Sequence, residues 1–335
     1  MRVVIATPLE DELVARLRQV DERLDVGFEA DLLPTPRYPS DHAGDERFER
    51  TPEQEARFTK LVEGAEVVLG FPGETPGGLA WVVRTARGLR FLQGTFAGAG
   101  QQLRAAELTD DELARVAIAS TAGIHATPLA EWSMFGILAF TKGLPRLLAD
   151  KADRNWAEHY PTQELPGKTL LVVGLGEIGR EVARLAEAFG MRVTGVRRSD
   201  GPDRLRELVP QADAIVVALP LTDETRGLVD RDLIASMRKG AIFVNVGRGA
   251  VVDEDALVEA LQSKHLLGAA LDVFAEEPLP ASSPLWTLDN VIVSPHTAAL
   301  SVKENERVVE RFAENLRRYL AGEELLGRVR TDVFY

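Results

Sequence analysis

Residues 168–198 read KTLLVVGLGEIGREVARLAEAFGMRVTGVRR, and the alternation inside this stretch decides the fold. The unbroken apolar run ending at Val173 suits a strand buried on both faces, and Ile178, Val182, Leu185 and Phe189 then recur at helical spacing on one face. Gly190 suits the helix's C-terminal cap, and a second extended run follows it. Between strand and helix stand Gly174, Gly176 and Gly179, spaced G-x-G-x-x-G. Gly174 permits the tight turn, Gly176 lets the backbone approach a pyrophosphate, and Gly179 lets helix and strand pack closely, while the first amides of the helix face the anion. A glycine triplet alone reads as a turn; inside a complete βαβ unit it reads as a dinucleotide site.

Outward from this unit the alternation continues. Four apolar runs follow, at 214–219, 241–246, 269–274 and 291–294, with helix-like stretches between them, which predicts a parallel sheet covered on both faces. Upstream, residues 125–144 form an unusually apolar helix whose surface suits packing between domains or subunits. Further upstream a run at 3–6 is followed by Leu9, Leu13 and Leu17 at helical spacing, then an extended stretch near Val26. Residues 31–57, with four prolines before residue 53 and many charges, read as a surface excursion without chemistry. Strand-like runs at 66–70, 90–93 and 114–120, with a helical segment near 77–87, resume the rhythm. After His296 a charged helix from 303 to about 320 is expected to return to the first domain. The expected class is α/β, with two doubly wound parallel-sheet domains.

Composition narrows the function. The 335 residues suffice for two domains. With 39 Lys and Arg against 52 Asp and Glu, the net charge of −13 argues against nucleic-acid or anionic-lipid partners. The absence of cysteine excludes disulfides and thiolate catalysis and is compatible with the cytoplasm. No apolar run has the length of a membrane span or a secretory signal, so no membrane partner is expected. The five histidines, at 42, 125, 159, 265 and 296, show no metal-ligand spacing, so no metal is expected.

An NAD-binding unit commonly ends its second strand on an acid about 20 residues beyond the glycines. Here Arg197 and Arg198 stand instead, and a guanidinium fork suits a 2′-phosphate, so NADP(H) is expected in preference to NAD(H). The alternative is a pair of solvated arginines with Asp200 turned inward.

Three polar residues follow late apolar runs: Arg248 in NVGRGAVVDEDAL, Glu277 in LDVFAEEP and His296 in VIVSPHTAAL. Strand carboxyl ends of a doubly wound sheet converge on the ligand crevice, so the three can meet although 48 residues separate the first from the last. An arginine between glycines reaches a carboxylate bidentately, and a histidine exchanges a proton near neutral pH. A carboxylate beside that histidine fixes its ring and favours the protonated form. Each residue alone has a bland reading as a turn, a helix-start acid or a buried histidine; the constellation carries the argument.

These motifs resemble the D-isomer-specific 2-hydroxyacid dehydrogenase family. GLGEIG, ALPLTDETRGLVD, IFVNVGRGAVVDEDALVEAL, GAALDVFAEEPLP and VSPHTA occur in family order between residues 125 and 298, over half the chain. The resemblance implies that Arg248 binds the substrate carboxylate and carbonyl, that His296 is the acid/base and that Glu277 is its partner. It implies cofactor contacts at Gly174, Gly176, Glu177, Ile178 and Gly179, at Arg197 and Arg198, at Leu219, Pro220 and Val246, and at Asp272 near the nicotinamide. More weakly, LGFPGE and RFLQGTFAGAG resemble the family's substrate-facing loops, making Phe71, Pro72, Gly73, Ala97, Gly98 and Ala99 candidate backbone donors to the carboxylate. It implies a Rossmann cofactor domain (123–298) inserted in a discontinuous flavodoxin-like substrate domain (1–122 and 299–335). It also implies a homodimer through the cofactor domain, in which the apolar helix around 132–140 finds its partner. Two positions depart from the family pattern: Arg197 replaces the NAD-selecting acid, and AGAGQQL lacks the Asp that often follows.

The expected activity is the reversible reduction of a small 2-keto acid such as glyoxylate or hydroxypyruvate. With Glu277 favouring protonated His296, reduction should weaken as pH rises. The competing readings are a nucleotide-sensing, corepressor-like interaction protein and a phosphite-type dehydrogenase of the same fold. Formate oxidation is disfavoured because that branch has Gln in place of Glu277, and a phosphoglycerate enzyme with a regulatory tail because about 40 residues follow His296.

Overall fold

Short runs of three to five residues, most of them apolar and buried, become parallel strands in the computed structural model, which describes residues 1–95 and 99–331. The chain divides into two units, Met1–Ile124 with Ser301–Tyr335, and His125–Leu300.

In the first unit β1 (Arg2–Ile5), β2 (Asp25–Gly27), β3 (Val67–Leu69), β4 (Phe91–Gln93) and β5 (Ala117–Ala119) form a parallel sheet in the order β2-β1-β3-β4-β5. One face is covered by the helix Glu304–Ala321, whose Val308, Val309, Phe312 and Leu316 pack with Val3, Ile5, Val67 and Phe91. These positions recur at helical spacing, and Gly322, at φ 73°, closes the helix in a left-handed cap.

The second unit holds β6 (Thr169–Val173), β7 (Arg192–Val196), β8 (Ala214–Val217), β9 (Ile242–Asn245), β10 (Gly268–Leu271) and β11 (Val291–Val293). They lie parallel in the order β11-β10-β9-β8-β6-β7, so the winding reverses between β6 and β8. The helix Ala126–Thr141 lies against this sheet, and Gly136 allows the close approach: a Cβ there would stand 2.5 Å from the Cβ of Ala270. Both sheets are the doubly wound parallel kind expected from the alternation.

Several local expectations needed correction. The apolar helix ends at Thr141; Gly143 turns left-handed (φ 70°) and a separate helix, Leu144–Ala152, starts with Pro145 in its first turn, where a missing amide is tolerated. Residues 114 and 115, expected to open a strand, instead end the helix Asp110–Arg115, which Thr109 and Glu112 start with a capping box. The space before β11 holds only the single turn Pro284–Trp286, since Pro278, Pro280 and Pro284 deny a helix its amides. In the helix Glu177–Ala188 the buried stripe is Gly179, Val182 and Ala186, whereas Phe189 falls on the C-terminal cap and is exposed. The excursion 31–57 is less of a surface loop than its prolines suggest. Its end belongs to the helix Pro52–Glu63, capped by Thr51, and Ser40, Asp41 and His42 are buried.

Candidate active site

Register brings the functional positions of the second unit together. Val173, Val217, Asn245, Leu271 and Val293 are each the last residue of their strand, and each pairs with its neighbour in one row across the sheet. Val196 joins that row beside Val173. The segments after them, carrying Gly174, Leu219, Pro220, Arg248, Asp272, Glu277, His296 and Arg197, therefore leave the sheet at its one carboxyl edge.

At this edge His296 Nδ1 lies 2.8 Å from Glu277 Oε2. The other carboxylate oxygen, Oε1, accepts a hydrogen bond from the Phe274 amide at 3.0 Å, so Glu277 is itself oriented by its own loop. His296 adopts a left-handed backbone (φ 54°), uncommon for a side chain of this size. Asp272 holds it there. Its main-chain oxygen accepts from the His296 amide, and its Oδ1 accepts from Ser294 Oγ (2.6 Å) and from the amides of Thr297 (2.9 Å) and Ala298 (3.0 Å). Burial pushes the Asp272 carboxyl above its usual range, and the Ser294 hydroxyl and loop amides offset part of that shift.

Arg248 stands between Gly247 and Gly249, and packing dictates both glycines. A Cβ on Gly247 would come within 2.5 Å of the Leu219 main-chain oxygen, and one on Gly249 within 1.8 Å of the Phe274 carbonyl carbon. The Arg248 turn is thus wedged between the segments after β8 and β10. Asn245 fixes it from beneath, donating to the Arg248 carbonyl and accepting from the Gly247 amide at 3.0 Å. The guanidinium donates to the Gly247 carbonyl at 2.8 Å and forms no ion pair with a described residue, so its charge is unspent.

The glycine turn fits a dinucleotide. Gly174 takes φ 104°, which L side chains rarely adopt, and a Cβ on Gly179 would stand 2.0 Å from the Gly174 main-chain oxygen. Gly176 differs, because a Cβ there meets nothing within 4 Å. Its bareness leaves room at the N-terminus of the 12-residue helix, where the first amides have no preceding helical turn to bond. Val246 is buried and continues the pairing of β9 with β8, and Leu219 and Pro220 are half-buried beside the turn. At the end of β7 the two arginines part company. Arg198 pairs with Glu224 at 2.6 Å, whereas the Arg197 guanidinium has no described partner; the Asp200 carboxylate accepts from the Arg197 amide at 2.7 Å.

In the first unit Phe71 is buried, Pro72 is half-buried and Gly73 is exposed in a left-handed conformation (φ 64°). Ala97 and Gly98 lie outside the described residues, and Ala99 opens the helix Ala99–Ala105. Sequence reasoning missed Asn245 and Ser294, which have no motif of their own. It also missed Glu254, whose Oε2 accepts from the Ala275 amide, and the buried His42, which the excursion's composition concealed. Among the described residues no helix is long and apolar enough to cross a membrane, and no His, Cys, Asp and Glu group is placed to hold a metal.

The comparisons with known proteins fit this edge. The family described as "D-isomer specific 2-hydroxyacid dehydrogenase, NAD binding domain" matches residues 134–298. The (S)-sulfolactate dehydrogenase of Chromohalobacter salexigens is 36% identical over 220 residues, which are 61% of this chain and 70% of that one. The chain belongs to the D-isomer specific 2-hydroxyacid dehydrogenases. Within that family, the D-3-phosphoglycerate dehydrogenase of Methanocaldococcus jannaschii is 41% identical over 58% of this chain, which spans 39% of that relative's length. A solved D-isomer specific 2-hydroxyacid dehydrogenase from Xanthobacter autotrophicus Py2, in complex with NADPH and MES, is 28% identical. It covers 99% of this chain and 100% of its own with a TM-score of 0.75. Members of this family are oxidoreductases with an NAD-binding domain.

Proposed function

We propose that this dehydrogenase reversibly reduces a small 2-keto acid, glyoxylate or hydroxypyruvate in kind, to the D-2-hydroxy acid, with NADPH in preference to NADH. The observation that carries the reading is the His296–Glu277 pair at 2.8 Å on the same sheet edge as an arginine whose charge is unspent. Gly174, Gly176 and Gly179 with the following helix N-terminus would hold the pyrophosphate, and Arg197, with no described partner, would meet the 2′-phosphate. The bound nicotinamide supplies the hydride that the keto carbon takes. Glu277 engages Nδ1 of His296, which leaves Nε2 to hold the proton destined for the keto oxygen and to recover it in the reverse direction. Arg248 would orient the substrate carboxylate and stabilise charge developing on the oxygen. Residues 1–124 and 301–335 would form the substrate domain and 125–300 the cofactor domain.

We read the protein as a homodimer through the second unit. Four exposed apolar side chains, Phe135, Leu147, Leu148 and Trp156, fall within 22 residues of it, and Trp156 is 96% exposed.

The test is absorbance at 340 nm with NADPH or NADH against glyoxylate, hydroxypyruvate, pyruvate and a bulky phenyl keto acid. Oxidation faster with NADPH is expected, and His296→Gln should lower turnover about 100-fold or more while NADPH affinity holds. Tight NADPH binding with no oxidation in any well would refute the reading in favour of nucleotide sensing, and wild-type turnover in His296→Gln would remove the proton-transfer role.

A further inference from the structure

The loop that carries Glu277 has few holds of its own. Val273 and Phe274 are buried, whereas residues 275–278 are exposed, so packing ends before Glu277 is reached. From Val273 to Leu279 no main-chain group bonds to another main-chain group among the described residues. Carboxylates take up the loop's amides instead. Glu277 Oε1 accepts from the Phe274 amide at 3.0 Å, a bond within the loop, and Glu254 Oε2 accepts from the Ala275 amide at 2.9 Å, a bond across to the segment after β9. Outside the loop Glu277 bonds, among the described residues, only to His296, at 2.8 Å. Glu254 thus provides the one hydrogen bond among the described residues that ties this loop to the segment carrying Arg248.

Glu254 opens the helix Glu254–Gln262, six residues after Arg248. The segment from Arg248 to Glu254 meets the loop in two opposed ways. Gly249 packs so closely against the backbone of Phe274 and Ala275 that an added Cβ would stand 2.5 Å from the Ala275 nitrogen, which stops the two from approaching further. The Glu254 carboxylate bonds to that same nitrogen, and a charge-assisted bond resists their drawing apart. A stop and a tether on one amide fix the separation. The start of the helix is served by other residues: Asp253 caps it, accepting from the Ala256 amide at 2.9 Å, and Asp255 also places a negative charge in its first turn.

We infer, on the reading of Arg248 as the carboxylate holder and His296 as the proton carrier, that Glu254 is a positioning residue: by holding the Ala275 amide it sets the distance from Arg248 to the Glu277–His296 pair. A keto acid whose carboxylate lies on Arg248 then presents its keto oxygen to His296. Glu254 touches neither substrate nor cofactor in this scheme and acts through the loop alone. Without the tether Arg248 still binds the carboxylate and Glu277 still engages His296, but fewer of the bound molecules stand in reactive geometry. The loss falls on kcat, with KM and cofactor affinity little changed.

Two variants separate reach from charge. Glu254→Asp keeps the charge and the first-turn acid but draws the carboxylate back from Ala275 by one methylene; Glu254→Gln gives up the charge and keeps an oxygen that can accept from that amide. With glyoxylate and NADPH, Glu254→Asp should lose about 10-fold or more in kcat with KM held within about 2-fold, and Glu254→Gln should stay within about 3-fold of the wild type. Hydrogen exchange at the Ala275 amide, followed by NMR without cofactor or substrate, should quicken about 10-fold in Glu254→Asp and little in Glu254→Gln. A role in charge or helix stability predicts the reverse order, with Glu254→Gln the slower enzyme, and that order overturns the inference. Glu254→Ala, with no acceptor at all, should be at least as slow as Glu254→Asp; wild-type kcat in folded Glu254→Ala overturns the inference as well. If the wild type reduces neither glyoxylate nor hydroxypyruvate, the keto-acid reading falls and this inference with it; normal wild-type reduction with unaffected variants overturns this inference alone.

Discussion

Gly249→Ala isolates the wedge that positions Arg248. The added Cβ would lie 1.8 Å from the Phe274 carbonyl carbon, 1.9 Å from its oxygen and 2.5 Å from the Ala275 nitrogen. An ordinary contact begins near 3.4 Å, so the segments after β9 and β10 must part by about 1.6 Å, and every atom in the way is backbone. Parting them moves Arg248 away from Glu277 and loosens the Phe274 and Ala275 amides from the carboxylates of Glu277 and Glu254. Overpacking of this kind costs about 1–3 kcal/mol, less than the total stability of a domain, so the variant should fold. Misplacing a catalytic group by about 1 Å costs about 100-fold in rate, so kcat/KM for glyoxylate should fall at least that far. Gly176→Ala provides the contrast. Its Cβ meets no protein atom, so folding should match the wild type, while NADPH affinity drops about 10-fold or more because the methyl occupies the space over the helix N-terminus. Initial rates at 340 nm, NADPH fluorescence titration and thermal unfolding separate the two. A folded Gly249→Ala with wild-type kcat/KM would refute the wedge.

Three further outcomes are expected. Asp272→Asn keeps the shape of the acceptor but weakens three hydrogen bonds to the His296 loop; about 1–2 kcal/mol of stability and at least 10-fold in turnover should be lost, and unchanged values in both urea unfolding and initial rates would sink the role. Arg197→Asp should weaken NADPH far more than NADH, by about 10-fold or more in the ratio of dissociation constants, and an unchanged ratio would defeat the 2′-phosphate reading. The Arg37 guanidinium holds the Asp41 carboxyl below its usual range, so the stability this pair adds is present above the unfolded carboxylate's pKa of about 3.9 and is lost as pH falls through the lower folded value. Hydrogen exchange at 37–44 should therefore quicken below about pH 4 in the wild type, and Asp41→Asn should flatten that dependence; identical profiles would exclude the pair as its source.

Much of this protein is legible in the sequence because periodicity, glycine spacing and strand-end position are local properties. Apolar runs between helical stretches determined two parallel sheets, and the three glycines after β6 marked the turn before the helix Glu177–Ala188. The same reasoning placed Arg248, Glu277 and His296 just after strands, which is as far as a pattern along the chain reaches. Their meeting depends on register, and register is a property of pairs: Asn245, Leu271 and Val293 share one row only because three separate strands align. Why glycines flank Arg248 became apparent only against the backbone of Leu219 and Phe274. The burial of His42 shows the limit most clearly. Its partner Asn305 is 263 positions away, and a stretch rich in proline and charge reads as exposed until a distant helix supplies the acceptor that makes burial affordable. Sequence alone determined which residues stand at the strand ends, and tertiary structure decided which of them touch, because a hydrogen bond depends on separation in space and not along the chain.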